Sequence, residues 1–426
     1  YNPSIIWQQK TGKRSFAEIS SNYVNANGSY HFSMPEYDTS GTRTNSDIKS
    51  LTSHFRYLLE SKDSAKFVVQ LYWFNSERGL PGAVIIGNPF ANSHQRLWNN
   101  DFYTNFSFNN YQKRRLHYVT NFKFSHNFLR YLDPDFSNIS GKTDNKYTQR
   151  EIYFSQALAY KFSNSVYCTV ASDVFLTTLD ANLPDYARPA RYSWLTNAGI
   201  SYKTQRFETG ISALESVIHE TTHSGVAAND KHILTPSVIL TYKIVKQPNI
   251  SFRFLYKDIF RMPTFNDLYY TLVGNNNLNP ERAKQFNAGL TMFGHAGILE
   301  YVSFKMDGFY NRVSDKIVAT PTKNLFVWSM TNIGVVDIRG TEMQIMAQTR
   351  KIGGLNYSAS CNYTYQEAKD ITPSSSTYNQ QIAYVPFETF NASATVQFKT
   401  ITFTYSNLFN GFRYTLPENI YANLLH

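Results

Sequence analysis

Residues 355–365 read LNYSASCNYTY, and the alternation is unbroken. Leu355, Tyr357, Ala359, Cys361, Tyr363 and Tyr365 fall on one side, Asn356, Ser358, Ser360, Asn362 and Thr364 on the other. A side-chain period of two marks an extended strand with one apolar and one polar face. Residues 192–202 repeat the pattern, with Tyr192, Trp194, Ala198, Ile200 and Tyr202 against Ser193, Asn197 and Ser201. So do residues 302–310, with Val302, Phe304, Met306 and Tyr310 against Ser303, Lys305 and Asp307. These runs reach about ten residues, beyond the usual strand of about five or six. Long two-faced strands fit a membrane-spanning barrel, apolar outside and polar inside.

The connections carry a second rhythm. Short turns fall near Thr11–Arg14, Ser61–Ser64, Asn110–Arg114, Ser163–Ser165, Lys203–Arg206, Lys246–Asn249, Gly294–Gly297, Lys351–Gly354 and Lys399–Thr400. Between them lie longer polar connections at 25–48, 76–98, 130–146, 180–189, 218–231, 260–281, 315–328 and 367–383. Tight turns at one end and long loops at the other are the habit of an antiparallel transmembrane barrel. Nine short turns imply about eighteen strands. Lipid does not tolerate a bare sheet edge, so such a sheet closes on itself or continues into further strands.

Composition agrees. Only 17% of the 426 residues are charged while 16% are aromatic, and mean hydropathy is −0.39. No apolar run approaches the roughly 18 residues of a membrane helix. The chain opens Tyr1-Asn2-Pro3 with no starting Met, which reads as a piece of something longer. The net charge of +10 is scattered and forms no block, so nucleic acid is not an expected partner. Cys168 and Cys361 stand far apart inside strand-like runs and match neither a disulfide framework nor a metal spacing.

One motif pulls the other way. His219-Glu220-Thr221-Thr222-His223 fits the H-E-x-x-H pattern of zinc peptidases. That chemistry needs a helix, so that both imidazoles face one metal beside the glutamate. Here the motif follows the strand-like Phe207–Ala213 and runs into a loop, and Val226 breaks the extended spacing. Catalysis is not expected. Incidental metal or haem contact by His219, His223 and His232 is the residual reading.

Residues 260–281, FRMPTFNDLYYTLVGNNNLNPE, resemble the F-R-A-P-[ST]-x-x-[DE]-L-Y … G-N-P-x-L-x-P-E segment of TonB-dependent outer-membrane receptors. Phe260, Arg261, Pro263, Thr264, Asp267, Leu268, Tyr269, Gly274, Asn275, Leu278, Pro280 and Glu281 match, while Met262 and Asn276 depart from the commonest residues. NIGVVDIRGTEMQ follows, where Asn332, Gly334, Ile338, Gly340 and Glu342 fit the family's N-x-G-x-x-x-[IV]-x-G-x-E strand. SDKIV (314–318) and IAYVPFETFNASATV (382–396) fall where such receptors carry related segments.

The resemblance implies a 22-stranded barrel enclosing an N-terminal plug. Residues 1–426 are then a partial barrel, with the plug, the first strand and about three last strands absent. It also implies active import. A scarce ligand binds at the outer mouth, and TonB with ExbB and ExbD draws on the inner-membrane proton gradient to open a path. Outer-membrane lipid and a capping surface lipoprotein are the further expected partners. Haem receptors of the family carry a His between the two boxes, and residues 262–277 hold none. SERGLPGAVI (76–85), QRLWNNDFY (95–103) and PTKNLFVWSMTNIG (321–334) resemble the cobalamin-receptor branch. Cobalamin is therefore the leading ligand, with ferric siderophore or haem as the alternative, and a non-transporting structural or adhesive barrel as the rival class. Such a ligand needs aromatic faces and a few polar groups. Trp98, Tyr186, Tyr269, Tyr270, Phe326 and Trp328 are the aromatic candidates, each equally suited to an interfacial aromatic girdle, and Arg78 is the candidate polar contact. No cofactor is required. Asp133, Asp135 and Asp144 form a candidate calcium loop, because calcium takes oxygen ligands.

Overall fold

The computed structural model describes residues 1–34, 38–62, 65–82, 93–110, 115–136, 141–270, 273–321, 328–373, 375–414 and 419. Its strands are β1 (Ser4–Gly12), β2 (Ser15–Ala26), β3 (Tyr30–Met34), β4 (Thr39–Arg43), β5 (Ile48–Glu60), β6 (Ala65–Gly79) and β7 (Arg96–Asn110). There follow β8 (Leu116–Asp133), β9 (Thr143–Lys161), β10 (Val166–Ala181), β11 (Pro189–Lys203), β12 (Phe207–Thr222), β13 (Lys231–Val245) and β14 (Asn249–Arg261). After the short helix α1 (Phe265–Tyr269) come β15 (Glu281–Ala296), β16 (Leu299–Pro321), β17 (Trp328–Thr349), β18 (Leu355–Asp370), β19 (Glu388–Phe398) and β20 (Ile401–Asn410).

Eighteen strands make one sheet, and β3–β4 form a separate hairpin. The large sheet is an antiparallel meander in which β2 pairs with β5 and every other strand with its neighbour in sequence. Among the described residues the reversals between strands fall where the alternation places them. The strands run further than the polar stretches suggest. β16 and β17 pair out to Pro321 and Trp328, inside a connection expected over 315–328. The hairpin inside 25–48 and the helix inside 260–281 are likewise absent from the sequence reading.

The wall is one strand thick, and its two sides are unlike. Val170, Val174, Trp194, Ile200 and Ile211 share the outward face and are 48–58% exposed, as a lipid-facing surface requires. Ser125, Ser155, Ser193 and Ser216, on the opposite parity, are all buried. Arg253 and Asp307 pair at 2.8 Å on that inward side. No helix among the described residues is long and apolar enough to cross a membrane. The hydrophobic core cluster of the described residues sits at the long-loop end, built by Leu179, Tyr186, Phe265, Leu268, Leu278 and Ile317 among others.

Candidate functional site

The core at the long-loop end is organised by the 260–281 segment. Thr264 caps α1: its hydroxyl accepts from the Asp267 N–H at 3.2 Å, and the Asp267 carboxylate accepts from the Thr264 N–H at 2.8 Å. This reciprocal box satisfies two backbone donors at the start of a helix of one turn. Pro263 and Leu278 are fully buried. Arg261 donates to Glu281 at 2.7 Å, and Glu281 accepts from the Ile317 N–H at 2.6 Å. Asn275 donates to the Met330 carbonyl at 2.9 Å. Asn332 donates to the carbonyls of Asn279 and Asp315 at 3.0 and 2.7 Å. Gly334, at φ +57, lies against the Thr372 hydroxyl, where any side chain would collide. The resemblance residues therefore latch the β14–β15 connection onto β16, β17 and the loop after β18.

The latch closes on Glu220. Its side chain is 1% exposed and the Arg191 side chain 14%. Arg191 Nε donates to Glu220 Oε1 at 2.7 Å, and its Nη2 to the Pro263 carbonyl at 2.7 Å. The Tyr269 hydroxyl donates to Glu220 Oε2 at 2.7 Å and accepts from the Ala228 N–H at 2.9 Å. The Arg191 guanidinium lies 4.9 Å over the Phe265 ring. Burial pushes the Tyr269 phenol up, and the adjacent Glu220 carboxylate adds to this against the Ala228 N–H.

H-E-x-x-H is thus a strand, not a zinc helix. His219 and Glu220 point to opposite sides of β12. His219 pairs with Asp230 at 2.8 Å and His232 with Glu215 at 2.7 Å, both pairs exposed, and the His223 N–H donates to the Ala187 carbonyl at 2.9 Å. His219 and His232 each spend a ring nitrogen on a carboxylate rather than on a shared glutamate-assisted site.

Of the sequence-predicted ligand residues, Tyr186 and Tyr269 join the core, and Tyr270 lies near Tyr147 beside it. The Tyr186 hydroxyl has no partner among the described residues, and burial pushes it up, with Tyr147 and Asp180 adding to the effect. Tyr147 packs against the same core, and Tyr131 stands near Tyr270. The sequence reading does not single out either; their shared parity with Ser125 and Ser155 is the signal that finds them. Arg78 is exposed on the inward face of β6. Trp98 lies on the outward face of β7, 4.9 Å beneath the Arg130 guanidinium, away from the cluster. Trp328 opens β17 opposite Pro321, and Phe326 lies outside the described residues. A cavity of about 570 Å³ lies near this core, lined by Asn332, Gly334, Val336, Asp370, Thr372 and Gln381 among others.

The candidate calcium carboxylates do not converge. Asp144 faces outward and takes two bonds of 2.8 Å from Arg130. Asp133 faces inward and accepts from Gln95 at 2.9 Å, while Asp135 pairs with His94 at 3.0 Å. The described residues contain no group of three His, Cys, Asp or Glu able to hold a metal ion.

The family described as "TonB dependent receptor-like, beta-barrel" matches residues 6–425. The chain belongs to that family. Its members are outer-membrane receptors and transporters. The vitamin B12 transporter BtuB of Vibrio vulnificus is 33% identical over 90 residues, 21% of this chain and 14% of that protein. BtuB of Photobacterium profundum is 30% identical over 115 residues, 26% of this chain and 17% of that protein. The FrpB iron transporter from Neisseria meningitidis (F3-3 variant) superposes at a TM-score of 0.73 with 12% identity, covering 97% of this chain and 67% of that one. At that identity the likeness is one of fold. The matched stretches span less than a fifth of the length of the two curated relatives.

Proposed function

We propose that the protein of which this chain is the barrel imports cobalamin across the outer membrane, driven by TonB with ExbB and ExbD. The observation that supports the ligand is that two curated relatives, at 33% identity over 90 residues and 30% over 115, are vitamin B12 transporters. The geometry is compatible. The inward mouth offers phenol rings from Tyr131, Tyr147 and Tyr270 and the Arg78 cation, and a cavity of about 570 Å³ lies at the loop end of β16–β18. That combination of aromatic faces with few polar groups suits a large, partly apolar ligand. The latch has a positioning role: it fixes the connection that carries Tyr269 and Tyr270. Calcium at Asp133, Asp135 and Asp144 belongs to the proposal only for a state in which Asp144 leaves Arg130. A capping surface lipoprotein is a further proposed partner at the long-loop end.

The test is a calorimetric titration of the full-length, detergent-purified receptor with cyanocobalamin, beside a panel of ferric siderophores and haem. Stoichiometric cobalamin binding supports the reading. Heat from an iron chelate or haem alone replaces the ligand and keeps the receptor. Binding of none, with no TonB-dependent uptake in cells, would favour the structural or adhesive barrel.

A further inference from the structure

The outward wall across β14–β18 carries a groove of about 640 Å³. Its floor is a row of small residues in register, Ala288, Gly308 and Thr341. Phe254 and Tyr365 close the two ends of that row. Phe286 and Tyr310 stand in the next row toward the long loops, followed by Arg339.

Gly308 is the informative residue. A Cβ added there would meet only the Ala288 carbonyl oxygen, at 3.9 Å, an ordinary contact. Gly340, on the inward side of the same strand pair, would collide with the Tyr365 carbonyl oxygen and the Phe309 ring. Packing demands the inward glycine and does not demand the outward one. A bare strand position weakens a sheet, so the open floor at Gly308 lacks a folding reason.

The rim is charged on one side only. The Arg339 side chain is 66% exposed and donates to Glu367 at 3.1 and 2.7 Å through Nε and Nη2, leaving the other edge of the guanidinium to face a ligand. Lys369 lies 3.3 Å from the same carboxylate. Exposed Lys284 and Arg312 occupy the adjacent outward row. These four cations outnumber the carboxylates Asp337 and Glu367 among them. Asp258, opposite Lys284 on β14, is already held by Arg282 at 2.7 Å. An apolar trough ending in surplus cations is complementary to a lipid with an anionic head, and guanidinium matches phosphate in geometry.

We propose that this groove binds a phosphorylated lipid of the leaflet on the long-loop side, one acyl chain over Gly308 and the phosphate at Arg339. The proposal rests on the membrane placement above and is independent of which nutrient is carried.

The test is native mass spectrometry of the full-length protein in mild detergent, titrated with phosphatidic acid and with diacylglycerol. Phosphatidic acid is expected to be retained and diacylglycerol lost. Gly308→Leu, which fills the floor, and Arg339→Gln should each weaken phosphatidic acid binding about tenfold. Glu367→Gln, which releases Arg339, should strengthen it, so the variants move in both directions. Equal retention of both lipids, or variants that bind like the wild type, would overturn the proposal. Cyanocobalamin titration of the same preparations keeps the two readings apart: lost nutrient binding with intact lipid binding counts against the import reading alone.

Discussion

Glu220 and His219 are neighbours in sequence and opposite in circumstance. Glu220 faces the inward mouth, 1% exposed, and serves Arg191 and Tyr269 together. His219 faces outward, 54% exposed, with Asp230 as its partner. A single strand separates a region where a charge is held by desolvated partners from one where solvent and headgroups screen it. The same contact distance therefore carries different weight. Removing one member of a buried pair leaves the other uncompensated, whereas an exposed pair contributes little.

Four substitutions sharpen or break that contrast, each read by hydrogen exchange of the 262–280 loop in the full-length protein. Glu220→Ala should have the largest effect. It strands the Arg191 cation and the Tyr269 hydroxyl, so loop opening becomes easier by about 3–5 kcal/mol; unchanged protection there would end the latch argument. Leu278→Ala, at the apolar centre of the same loop, should cost about 2–4 kcal/mol through lost burial and a cavity. Tyr269→Phe keeps the ring and removes the hydroxyl that joins Glu220 to Ala228, for about 1–3 kcal/mol. Asp144→Asn, which breaks the outward pair with Arg130, should shift the loop by no more than about 1 kcal/mol. If Asp144→Asn matched Glu220→Ala, burial would not be what separates the two regions.

Much of this is legible in the sequence. The period of two, the nine tight turns and the long connections come from local chemistry: apolar side chains at every second position, and turn residues where the chain reverses. The family segments are legible too, as ordered residue types. Their physical roles are not. Asp267 reads as a loop acid until its carboxylate is seen capping α1. Asn332 reads as a strand residue until it is found bridging Asn279 and Asp315. Trp98 stands among the expected ligand residues although its strand parity already puts it outward. The spread of two candidate calcium ligands to opposite faces is equally readable: Asp133 lies an even step from Ser125 on β8, and Asp144 an odd step from Ser155 on β9.

The sequence by itself determined a long-stranded, two-faced β-barrel wall of the TonB-dependent receptor kind. Strand periodicity and turn chemistry are properties of neighbouring residues, and such signals survive without knowledge of the fold. Only the tertiary structure decided that the glutamate of a false zinc motif anchors the family's tyrosine, 49 residues away. It also decided that a glycine in β16 floors an outward groove. Both depend on which strands stand side by side, and hydrogen-bond register across the sheet sets that.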